Sequence, residues 1–151
     1  MTTAPETARG QFKHLFTSLK IGSFTVRNRI LSTAHLSNFA VQGLPSERHL
    51  NYWVSKAKGG IGLIITEDQA VHPSGGSEPY VIQAYRDDCI APFRRITAAV
   101  HEHGAKIAAQ LWHPGSVFFP HREEGLPLWS AGSIPASFHI ESAHEMDDGD
   151  I

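Results

Sequence analysis

The chain has 151 residues, 41% hydrophobic and 19% charged; this is the profile of one ordinary globular domain and excludes a disordered or fibrous protein. A formal net charge of −2 offers no basic surface for nucleic acid or an anionic membrane. Cys89 is the single cysteine, which excludes an internal disulfide and a cysteine-rich metal site and fits a reducing, cytoplasmic setting.

The first segment, MTTAPETARGQ (1–11), reads as a disordered polar tail with no apolar centre of an export signal. No stretch is long and apolar enough to span a bilayer. In LFTSLKIGSFTVRNR, two short apolar pieces flank Gly22-Ser23, a hairpin signal. Ile30 to Ala34 reads as a mild strand. PSERHLNYWVSKAKGG reads as a helix: Ser46 suits the N-cap, Leu50, Trp53, Val54 and Ala57 recur at helical spacing, and Gly59-Gly60 stops it. Ile61 to Thr66 is a continuous apolar run, the mark of a strand buried on both faces. Asp87 and Asp88 then open a second helix, Ile90, Phe93, Ile96 and Val100 form its stripe, and Gly104 ends it. AKIAAQLW is a third strand, expected to be buried, and EMDDGDI looks like the approach to another helix.

Strand, helix, strand, helix, strand predicts right-handed crossovers and a parallel sheet. Helix-to-strand connections are one or two glycines, whereas strand-to-helix connections take roughly ten, twenty and thirty residues (35–45, 67–86 and 112–140), far above the usual few. In parallel α/β proteins the carboxyl ends of the strands carry the ligand, and this asymmetry puts His35, Glu67, Asp68, Gln110 and His113 on one rim. A doubly wound dinucleotide-binding sheet would show G-x-G-x-x-G after its first strand; the chain runs instead into HLSNFA. The barrel fits better. A (β/α)8 barrel needs about 250 residues, so about three βα units and a capping hairpin make the amino-terminal portion of one.

Gln110 carries an acceptor and a donor on one planar group, which suits a flavin pyrimidine edge or a nucleobase as well as it suits a neighbouring strand. His113 and His35 read most simply as core histidines. Glu67 reads as a buried structural ion pair before it reads as a base. His101 and His103 stand two apart on a helix and face away from each other. Their place in the last turn is explained by the helix dipole, so no metal site is expected.

Several motifs together resemble the Old Yellow Enzyme family of FMN-dependent NADH:flavin oxidoreductases, a (β/α)8 TIM barrel. LFTSLKIGSFTVRNRI is similar to the family's opening hairpin, GLPSERHLNYWVSKAKGGIGLIITE to the segment from first helix through second strand, AVHPSGG to the following loop, and KIAAQLWHPG to its Q-L-x-H-x-G. The likeness runs from about Leu15 to Ser137. It implies an FMN-binding barrel domain over residues 12–151, with only its amino-terminal part present. By that resemblance Gln110 holds the flavin pyrimidine edge, Ala34 and His35 meet the flavin through backbone groups, Asp68 stands near its reactive side, and His113 supports from behind. Many members carry Arg where Ser116 stands and a small residue where Asp68 stands. STAH and the missing Arg look nearer the dienoyl-CoA reductase and trimethylamine dehydrogenase side of the family.

The resemblance implies an FMN-dependent oxidoreductase that passes hydride between NAD(P)H or a substrate, the flavin and an acceptor such as an activated alkene. The family's catalytic pair and phosphate-binding loops match no position here, so the isolated chain is expected to be inactive. A small-molecule substrate is expected, with a homo-oligomer or a complementary carboxy-terminal half left open as partners. Two rivals stay in play: a non-catalytic remnant or half-barrel that needs a complementary chain, and a flavin-independent barrel lyase or aldolase.

Overall fold

The structure is a computed structural model and describes residues 10–75, 79–117, 127–135 and 142–150. Most of the expected polar tail, positions 1–9, lies outside them.

β1 (Leu19–Ile21) and β2 (Phe24–Val26) form the expected antiparallel hairpin, Leu19 opposite Val26. Its two-residue turn needs Gly22, which takes φ +55°. The next two residues tie the hairpin beneath the sheet. The Arg27 guanidinium donates to Ile61 O (2.8 Å), Ala57 O (2.8 Å) and His103 O (2.6 Å), so one side chain satisfies carbonyls at the ends of both helices. Asn28 donates from Nδ2 to Gly60 O (2.7 Å) and accepts Ile30 N–H at Oδ1 (3.1 Å). A Cβ on Gly62 would lie 2.5 Å from Asn28 Oδ1, so the glycine is required by this approach.

The main sheet is parallel. β3 (Leu31–Ser32) pairs with β4 (Leu63–Ala70), which pairs along its other edge with β6 (Lys106–Trp112). Further along β4, Gln69 and Ala70 pair with β5 (Ile82–Gln83). α1 (Glu47–Lys58) and α2 (Ile90–Glu102) cover one face of the sheet. His49, Trp53 and Ala57, four residues apart, are the buried stripe of α1, and Ile96 and Val100 that of α2. They close on Ile64, Ile82, Ala105 and Ala40 to make the core. A short parallel pair, β7 (Trp129–Ser130) and β8 (His144–Glu145), stands apart from the main sheet.

The helices end as expected, at Gly59-Gly60 (Gly60 φ +101°) and at Gly104 (φ +73°). Ser46 is the N-cap of α1, but its hydroxyl donates to Phe39 O (2.6 Å); the helix start is closed instead by Ser46 N–H donating to His49 Nδ1 (3.0 Å). Other expectations need correction. The first strand pairs only over Leu31–Ser32, not 30–34. The second runs on to Ala70, so Glu67 and Asp68 lie within the strand rather than in the loop after it. β5 is a strand where a plain loop was expected. β6 is not buried: among the described residues it pairs on one edge alone, and most of its side chains are exposed. Ile90 opens α2 at 48% exposure and contributes little to the stripe. Residues 144–150 hold β8 and a turn, and no helix is reached among the described residues. No helix among the described residues is long and apolar enough to cross a membrane.

Candidate functional site

The site is decided by an irregularity in β4. Ile65 is level with Ala108, but Asp68 is level with Gln110, so β4 spends one more residue than β6 over the same distance. This is a bulge at Thr66 and Glu67, and both residues are buried. Before it, Ile64 packs into the helix-side core and Ser32, its partner on β3, accepts from Lys56 of α1 (2.8 Å). After it, the alternation resumes with its phase changed. Glu67 joins the helix side, and Asp68 falls on the opposite, inner face beside Gln110.

Behind the sheet the buried polar side chains Glu67, His49 and Gln69 are hydrogen-bonded. Glu67, 1% exposed, accepts at Oε1 from His49 Nε2 (2.9 Å) and at Oε2 from Ser37 N–H (2.8 Å) and the Ser37 hydroxyl. His49 Nδ1 already accepts Ser46 N–H, so the ring proton sits on Nε2 and points at the carboxylate. Burial pushes the Glu67 carboxyl up, but the His49 and Ser37 hydrogen bonds outweigh it and hold the pKa below the ordinary value. Glu67 is thus a buried structural carboxylate with a partner, as expected, although the neutral His49 ring makes the contact a charge-assisted hydrogen bond, and it does not stand on the rim. Through Ser37 it also pins the loop after β3. Gln69 donates to Thr66 Oγ1 (2.6 Å) and is equally closed.

On the inner face the reverse holds. Asp68 is half-buried and Gln110 exposed, their backbones directly paired at the carboxyl ends of β4 and β6. Among the described residues neither side chain has a hydrogen-bond partner in the chain. Ala34 and His35 follow β3 on the other edge of β4, just before the Ser37 anchor; Ala34 is half-buried and the exposed His35 ring lies 6.5 Å from Tyr52. The structure therefore joins Asp68 to Gln110 directly and sets Ala34 and His35 across β4 from Gln110.

His113, one residue past β6, is half-buried but bonds no carbonyl. Its Nδ1 accepts Gly115 N–H (3.1 Å), so Nε2 carries the proton and donates to Ser74 Oγ (2.9 Å). The Ser74 hydroxyl in turn donates to His72 Nδ1 (2.8 Å), and the His72 ring stacks on Trp129 at 4.2 Å. Burial first, then the neighbouring His72, pushes the His113 pKa down. Ser74 and His72 were missed from the sequence, because short loop residues give no periodic signal. No group of three or more His, Cys, Asp or Glu that could hold a metal ion occurs among the described residues.

The inner face carries in Gln110 an amide with a donor and an acceptor on one planar group and no side-chain partner among the described residues, a set whose chemistry fits a flavin pyrimidine edge. Comparison with known proteins agrees on the family. Residues 14–151 match the NADH:flavin oxidoreductase / NADH oxidase family. An NADH oxidase from Thermoanaerobacter brockii is 36% identical over 93% of the chain and 22% of its own length. An NADPH dehydrogenase from Bacillus subtilis (strain 168) is 34% identical over 68% of the chain and 31% of its own. The old yellow enzyme homologue from Zymomonas mobilis superposes with TM-score 0.75 at 26% identity, covering 89% of the chain and 40% of that structure. Morphinone reductase superposes with TM-score 0.74 at 27% identity over 82% and 33%. The chain spans about a fifth of the length of the first curated relatives it matches. It belongs to the NADH:flavin oxidoreductase / NADH oxidase family, and its fold is the amino-terminal portion, with capping hairpin, of that family's (β/α)8 TIM barrel.

Proposed function

We propose that residues 12–151 build the pyrimidine side of an FMN site in an NAD(P)H-dependent oxidoreductase. The observation that carries this is the pairing of Asp68 with Gln110 on the inner face, neither side chain partnered among the described residues, in front of a helix side where Glu67, His49 and Gln69 are hydrogen-bonded. Gln110 would accept from the ring N–H and donate to the adjacent carbonyl through one planar amide. Ala34 and His35 would offer backbone groups from the loop that Glu67 anchors through Ser37. Asp68 would bring a carboxylate beside the reacting edge. FMN when bound supplies hydride transfer, between NAD(P)H or a small-molecule substrate and an acceptor such as an activated alkene; the protein's share is to bind, orient and tune. The lone Cys89 suits a cytoplasmic setting.

A second reading has its own observation. Among the described residues β6 pairs along one edge alone, and Leu111 on it stands 71% exposed, so a complementary half or a second copy would find a strand edge to extend. On this reading the chain alone holds FMN weakly and turns over negligibly.

The test is an absorption spectrum of the purified chain after incubation with FMN and desalting, alone and with a carboxy-terminal half-barrel of a relative. Retained flavin bands that weaken in Gln110→Ala support the reading. A site that never retains flavin, even in the complemented barrel, overturns it.

A further inference from the structure

We propose that the His113–Ser74–His72 chain is a positioning device, which holds Gln110 on the inner face by locking the short ladder beyond the bulge. The role of Gln110 rests on the flavin reading above; the lock itself stands on geometry.

β4 and β6 pair in two blocks. Leu63–Ile65 match Lys106–Ala108, and Asp68–Ala70 match Gln110–Trp112, with the irregularity between. The second block is three rungs long, and its outer strand has no further partner among the described residues. Side chains alternate with period two, so a slip of one residue would turn Gln110 to the helix side. Within those rungs Gln110 and Leu111 are exposed and supply no packing against such a slip.

Resistance to the slip comes from the residues just beyond the rungs. Val71 N–H donates to Trp112 O (3.1 Å), and the next residue, His113, reaches across to Ser74. The relay has a fixed direction because backbone donors set both rings: Gly115 N–H occupies His113 Nδ1, and Ser74 N–H (3.2 Å) shares His72 Nδ1 with the Ser74 hydroxyl. A one-residue slip displaces His113 by about 3.3 Å, too far for this bond. The two loops also press together. A Cβ on Gly75 would lie 2.7 Å from Pro114 Cδ and 2.9 Å from His113 Cδ2, so only glycine permits the approach. Trp129 closes the other side of His72.

Each imidazole accepts a backbone hydrogen bond at Nδ1, which fixes the tautomer that the relay requires.

The experiment is amide hydrogen exchange by NMR on the 151-residue chain, wild type, Ser74→Ala and Ser74→Thr, at about pH 7.5 with intrinsic rates corrected. The Val71 amide should exchange about tenfold faster in Ser74→Ala than in wild type, with Ser74→Thr restoring protection. The Gly59 amide, inside the α1 cap, should not change. Imidazole 15N shifts of the wild type should report Nε2–H on both His72 and His113, a readout that needs no variant. Equal Val71 protection in all three proteins, or an Nδ1–H tautomer on either ring, overturns the proposal. None of these readouts involves flavin, so failure of the lock and failure of the flavin reading are told apart.

Discussion

Glu67 and Asp68 are consecutive carboxylates on one strand with opposite surroundings. Glu67 faces α1, is held by His49 and Ser37, and is sealed from water. Asp68 faces the inner side, beside Gln110, and has no partner among the described residues. A carboxylate cannot be buried alone, so the helix side surrounds its acid with donors. The inner side leaves its polar groups without a partner among the described residues. The lesson is that satisfied and unsatisfied polar groups are divided between two faces of one strand, and the bulge at Thr66–Glu67 makes the division.

The sharpest way to break that contrast is His49→Ala. It leaves the Glu67 charge buried with one of its three donors gone, and should cost about 3–5 kcal/mol in denaturant-induced unfolding. Should the variant unfold at the wild-type midpoint, the network is not structural.

Acid attacks the same pair more gently, because it leaves no void. The folded Glu67 pKa lies below the ordinary value of about 4.5. The carboxylate's contribution is therefore complete above about 4.5 and is lost as pH falls from there through the lower folded value. His113, also depressed from its ordinary 6.5, contributes in the same sense over a higher window, starting to lose its share as pH drops below 6.5. Stability measured from pH 7.5 downward should show a shallow decline and then a steeper one. A flat profile to pH 4 would contradict both.

Gly75→Ala sharpens the contrast from the loop side. The added methyl meets Pro114 and His113, and the expected loss is about 1–3 kcal/mol from overpacking, read as a lowered unfolding midpoint.

The smallest stability effect belongs to the inner face. Gln110→Ala and Asp68→Ala should each move unfolding by no more than about 0.5 kcal/mol, while flavin retention by the complemented barrel falls. A large stability loss in either would mean that the inner face is structural as well.

Much of this could be read along the chain. The hairpin at Gly22, the stripe of α1, the glycine stops and the parallel strand order are local signals. Turn chemistry and periodicity act over a few residues whatever surrounds them. Glu67 was read correctly as a buried, partnered carboxylate. The misreadings share one cause. A continuous apolar run such as KIAAQLW looks alike in a central strand and at an open edge, because neighbours rather than residues set burial. Nothing local in IITEDQA marks a bulge.

The sequence by itself therefore determined the hairpin, the two long helices, the order of the three main strands and the residues available for a site. Only the tertiary structure decided which face each residue took. One extra residue in β4 changes the phase of the strand, and with it whether Asp68 stands beside Gln110 or behind it. Partner choice followed the same rule: His49 lies 18 residues from Glu67, and Ser74 lies 39 from His113. Such pairings form through packing of distant segments, and spacing along the chain does not encode them.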